Sequence, residues 1–154
     1  MLDFYALPKD FPGIAQAQQG IGARQRQHLI REAVEGWVGN KMGTSFRADR
    51  FRFYLSMHEF EALLFSHPEA LSRHFQAPAS AAKVQGWVQA AGGAEEVNNS
   101  LLNAPSKRIK SEFPRFTKVV DPVTIATAIG LPAMRAACPL FNEWVAWLES
   151  LQAA

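Results

Sequence analysis

The run Phe51-Arg52-Phe53-Tyr54-Leu55-Ser56-Met57 passes without a break into His58-Glu59-Phe60-Glu61-Ala62-Leu63-Leu64-Phe65-Ser66. In the first half Phe51, Phe53, Leu55 and Met57 alternate with Arg52, Tyr54 and Ser56, the period of a strand with one buried face. At His58 the period changes. Phe60, Leu63 and Leu64 now fall at helical spacing, which predicts a helix leaving the end of a strand. A strand feeding a helix sets the expected fold class as α/β.

Upstream, Leu2-Asp3-Phe4-Tyr5-Ala6-Leu7 reads as a short strand stopped by Pro8. Lys9 to Gly22 carries Pro12, Gly13, Gly20 and Gly22 and reads as a loop. Leu29/Ile30, Ala33/Val34 and Trp37/Val38 recur every four residues, so a helix is predicted over 24–38, ended by Gly39-Asn40. Two strands joined by a helix predict a right-handed βαβ unit and a parallel sheet. Two parallel strands are too few for a stable sheet, and the chain starts inside the first. A missing upstream segment, or a second chain, is therefore expected.

Downstream the pattern is helical. Ser66 is a candidate cap with Pro68 in the first turn of the next helix. Val84, Trp87, Val88 and Ala91 mark another, closed by Gly92-Gly93. Pro105 opens a short helix, Asp121 reads as the cap of one with Pro122 at its first position and Gly130 at its end, and Pro132 opens a further turn. Pro139 leads into a last amphipathic helix with Phe141, Trp144, Val145, Leu148 and Leu151 on one face. No linker or repeat divides the chain, so residues 1–154 are read as a single domain with a mostly helical C-terminal half.

Composition narrows the class. The 154 residues are 48% hydrophobic and 19% charged, a globular balance with no need of a metal or disulfide staple. The one cysteine, Cys138, cannot form an internal disulfide and sits in an apolar context, which predicts a buried structural thiol in a reducing compartment. No apolar stretch reaches the roughly 18 residues of a membrane span, and the N-terminus is no signal peptide. A cytoplasmic location follows as the expectation. A net charge of +2 predicts no partner by itself.

Chemistry is concentrated in two places. Asp3 on the first strand, with Glu59 and Glu61 where the second strand turns to helix, would converge at the carboxyl edge of a parallel sheet. Such oxygen ligands suit Mg²⁺ or Mn²⁺ and phosphodiester chemistry. The bland alternative leaves Glu59 as a helix N-terminal charge and Glu61 as an exposed acid. The second place is the basic group Lys107, Arg108, Lys110, Arg115 and Lys118. Ser106, Lys107 and Arg108, at the start of a short helix, are candidate phosphate contacts, the alternative being a solvated face. Neither a zinc pattern nor a Walker loop occurs.

Several runs resemble a bacterial family of domain-of-unknown-function proteins with a Toprim-like fold. They are Asp3-Phe4-Tyr5-Ala6-Leu7-Pro8 with Asp10-Phe11-Pro12-Gly13, then His58 to Ser66, then Asn103-Ala104-Pro105-Ser106-Lys107-Arg108-Ile109. Ile129-Gly130-Leu131, Ala137-Cys138-Pro139 and Trp144 continue the likeness. The resemblance implies a partial Toprim-like parallel sheet, gene neighbourhood with AAA-type ATPases, and similarity to the OLD-like nucleases of phage defence. It also implies an N-terminal Glu-Gly-x-Thr-Glu segment that this chain lacks, so the chain reads as shortened. The second aspartate of the Toprim Asp-x-Asp pair is absent, Tyr5 standing in its place.

The expectation is a metal-dependent nuclease component of an ATPase-associated defence system, incomplete as it stands. Asp3, Glu59 and Glu61 would be its catalytic, metal-binding acids, and nucleic acid its ligand. The rival is a non-catalytic interaction module that docks an AAA-type ATPase or forms a homo-oligomer.

Overall fold

A computed structural model describes residues 2–4, 7–19, 22–57, 59–97 and 104–151, with backbone alone at Leu2 and Asp3. The described chain divides into two compact units, Met1–Met57 with Leu148–Ala154, and His58–Trp147.

In the first unit β1 (Leu2–Asp3) and β2 (Leu55–Ser56) pair in parallel, Leu2 opposite Leu55 and Asp3 opposite Ser56. Each is two residues long. The predicted α/β class with a Toprim-like parallel sheet is thereby overturned: helices make the fold, and this pairing is too short to form a layer. The reason lies in the backbone of the expected second strand. The Phe53 N–H donates to Glu35 Oε1 at 3.0 Å, a side chain taking the place of a neighbouring strand. Phe51 and Phe53 pack their rings against Phe46 and Phe11. Alternation along 51–57 reflects real burial of Leu55 and Met57, but among the described residues β2 pairs only with β1.

The expected loop at 9–22 contains α1 (Ile14–Ala17), reached through turns in which Phe11 N–H donates to Pro8 O and Ile14 N–H to Phe11 O. α2 (Gly22–Met42) buries Ala23, Gln27, Ile30 and Val34, a stripe at spacings of three and four. It begins before Arg24 and does not stop at Gly39-Asn40. Gly39 leaves room for the Phe46 ring against the helix, and Gly43, at φ +55°, makes the left-handed turn that ends it. Trp37, placed by periodicity on the inner stripe, is 54% exposed.

The second unit is organised on the segment read as a strand-leaving helix. Phe60–Ser66 is a 3₁₀ helix, entered by a bond from Ala62 N–H to Glu59 O. Glu61, Ala62, Leu63, Leu64 and Phe65 are all buried, so every face is covered and no amphipathic period survives. Around it stand α3 (Pro68–His74), α4 (Ala81–Ala91), α5 (Pro105–Glu112), α6 (Asp121–Ile129), α7 (Leu131–Ala137) and α8 (Pro139–Ser150). Leu64, Leu71, Val84, Ile109, Ile125 and Cys138, all without exposed surface, form the centre of this core. The cap of α3 is His67, whose Nδ1 accepts the Ala70 N–H, while Ser66 Oγ donates back to Leu63 O. Asp121 is the first helical residue of α6 and not its cap, which is Val120. Among the described residues no helix is long and apolar enough to cross a membrane.

Candidate phosphate-binding cleft

α5 begins with Pro105, preceded by Ala104, a residue with no side-chain oxygen to accept the free N–H groups of the first turn. Glu59 supplies that acceptor from 47 residues away: its Oε2 takes the Ser106 N–H at 2.9 Å. Its Oε1 takes the Lys118 ammonium at 2.5 Å. Partial burial pushes the Glu59 carboxyl up, but the bonds from Lys118 and Ser106 outweigh it and hold the group below its ordinary range. Glu59 is therefore a carboxylate that fixes the start of α5 and the position of Lys118.

Beside this junction lies a cleft of about 290 Å³ lined by Ser106, Lys107, Lys110, Phe116 and Lys118. Lys107 and Lys110 are three residues apart on α5 and share a face. Lys110 Nζ donates to Phe116 O at 2.8 Å, which ties the helix to the following loop. Three lysines line this opening at the N-terminus of α5, where the macrodipole adds to their attraction for an anion. Ser106 and Lys107 stand where the sequence placed them. Arg108 is not among the lining residues: about 100° further round the helix, its guanidinium lies 5.8 Å from the Trp87 ring centroid.

The acidic constellation has a different fate. Glu61 is 3% exposed, so it is neither an open acid nor a solvated one. The Asp3 side chain and all of His58 lie outside the described residues. Among the described residues no group of three or more His, Cys, Asp or Glu side chains could hold a metal ion. A divalent ion on Glu59 would have to compete with the Lys118 ammonium already there.

Sequence reasoning missed a second carboxylate of the same kind. Glu95 accepts the Leu140 N–H at 2.9 Å and the Phe141 N–H at 3.0 Å, capping α8 with both oxygens. Burial raises its pKa, partly offset by those two bonds. Cys138 beside it is fully buried, and burial together with Glu95 pushes its thiol up to about 12, the inert group expected. The available signal was Pro139 at a helix start preceded by cysteine, a residue with a poor capping side chain.

The profile of DUF4276, a domain of unknown function, matches residues 1–149, and the chain belongs to that family. No curated protein and no solved structure matches the chain.

Proposed function

We propose that this domain binds nucleic acid by its phosphate backbone, in the lysine cleft at the start of α5. The observation that carries the reading is the gathering of Lys107, Lys110 and Lys118 with Ser106 around one opening. The bonds of Glu59 to Ser106 and Lys118 hold two of those residues in place. Preset ammonium groups on a backbone-lined opening contact phosphates without reading sequence. A metal-dependent nuclease role, using Asp3, Glu59 and Glu61 with Mg²⁺ or Mn²⁺, rests on the family resemblance and requires both that Lys118 leave Glu59 and that the buried Glu61 become accessible.

The test is fluorescence anisotropy with a labelled oligonucleotide across a salt series. With three lysine contacts, log K should fall against log[salt] with a slope of about −2 for a single strand. Lys107→Glu combined with Lys110→Glu should weaken binding at least tenfold. Unchanged binding by that double variant would reject the cleft. Cleavage in Mn²⁺ that disappears in Glu59→Ala would establish the nuclease extension.

The rival reading, docking of an AAA-type ATPase or a second copy, is favoured by Val119, Val120 and Val123. They are 85%, 63% and 65% exposed around the start of α6. Sedimentation of the wild type against Val120→Asp separates it from the first reading: self-association lost in the variant supports docking, and a monomer in both removes the second-copy form.

A further inference from the structure

A second recess, of about 150 Å³, opens where the loop after α5 begins. Its lining is Phe75, Ala77, Glu112, Phe113, Pro114 and Arg115. Phe75 and Phe113 stack with ring centroids 4.6 Å apart and planes 17° from parallel. Phe113 is buried in the core, and it backs the partly exposed Phe75 ring, the aromatic surface the recess offers. The one acid in the lining is already neutralised: Glu112 accepts bonds from Ser80 Oγ and Lys83 Nζ. Arg115 is exposed and has no hydrogen-bonding or ion-pair partner among the described residues. The recess is therefore flat, apolar and cationic at its rim.

Its size and its place restrict what it can hold. At about half the roughly 300 Å³ of the smallest ordinary ligand pockets, it admits one planar group and not a whole nucleotide. Phe116 N–H donates to Phe113 O at 2.9 Å, closing a turn whose ends lie within about 7 Å of each other. The recess takes Phe113, Pro114 and Arg115 from this turn, and the lysine cleft takes its last residue, Phe116, together with Lys118 two residues on.

Resting on the phosphate-binding reading, we infer that the two openings hold one single-stranded nucleic acid, its phosphates in the cleft and an unpaired base in the aromatic recess. Stacking on an aromatic wall is open to any base, because each has a π-face, and Arg115 can lie flat against the ring or contact its phosphate. A duplex keeps its bases stacked and paired, and reaches the lysines without filling the recess.

The experiment compares three labelled probes of equal length on the full chain at fixed low salt: an oligothymidine strand, an abasic strand and a duplex. The oligothymidine should bind about tenfold more tightly than either of the others. Phe75→Leu, which keeps an apolar side chain in the core, should bring it down to the abasic value and leave the abasic strand unchanged. Arg115→Ala, at an exposed position that does not threaten the fold, should also narrow the difference. Equal affinity for oligothymidine and abasic strands, both abolished by Lys107→Glu with Lys110→Glu, would overturn the base recess and leave the phosphate cleft standing. Failure of all three probes to bind would overturn both.

Discussion

Glu59 and Ser106 are 47 residues apart, and the carboxylate of the first accepts the backbone N–H of the second at 2.9 Å. The acid that sequence logic placed on a metal is thus the N-terminal cap of a helix elsewhere in the unit. It also holds Lys118, so removing its charge and removing its hydrogen-bond acceptor are separable changes.

Glu59→Ala should destabilise the protein by about 1 kcal/mol, the usual loss for a removed cap. Glu59→Gln keeps an oxygen for the Ser106 N–H and should lose less. It also releases Lys118 from a negative neighbour, so oligonucleotide affinity should rise a few-fold at low salt. Urea denaturation and anisotropy on both variants check this; an affinity drop in Glu59→Gln contradicts it.

Glu95 gives stability a pH dependence of the less common sign for an acid. Burial raises its folded pKa above the unfolded value of 4.5, despite the bonds from Leu140 and Phe141. The native state therefore binds the proton more tightly than the unfolded chain. Its contribution is complete below the unfolded pKa and declines as pH rises through the folded one. Glu95→Gln, which cannot ionise but keeps only one acceptor oxygen for the two N–H groups, should gain on wild type as pH rises above about 4.5. Denaturant midpoints of the pair at several pH values measure it, and a gap that moves the other way would refute it.

Gln76 occupies a place better suited to glycine. At φ +57° it ends α3, with its N–H on Arg73 O and the Ala77 N–H on Ser72 O. The same bond pattern closes α4, where Gly92 stands in the corresponding position, with Gly93 N–H on Val88 O. Gln76→Gly relieves the left-handed strain of a side chain at the cost of a freer unfolded chain. A net stabilisation of up to about 1 kcal/mol is expected, read as a raised thermal midpoint; a lowered midpoint would show the Gln76 side chain to be holding the turn.

What was legible in the sequence was what depends on neighbours along the chain. Val84, Trp87, Val88 and Ala91 mark α4, Pro105 opens α5, Gly130 ends α6, and Pro139 starts α8, all from local pattern. The parallel sheet failed because a strand needs a partner, and the Phe53 N–H found the Glu35 side chain instead. The helix at Glu59 became a 3₁₀ segment because five consecutive residues are buried on all sides, a setting that periodicity cannot show. In the cleft, Ser106 and Lys107 were readable from their place at a helix start. Arg108, one residue on, turns toward Trp87, and Lys118 joins only through the loop that folds back to Glu59.

The remote capping of α5 and α8 has a consequence for how the second unit comes together. An eight-residue helix is well below the roughly 12–15 residues needed to persist alone in water. α5 has no cap of its own, so it gains full stability only once the segment carrying Glu59 has closed a loop of nearly fifty residues onto it. α8 waits in the same way for Glu95. Loop closure must precede the reward, which ties these helices to long-range order and makes the unit assemble as one cooperative event rather than as helices that form and then dock.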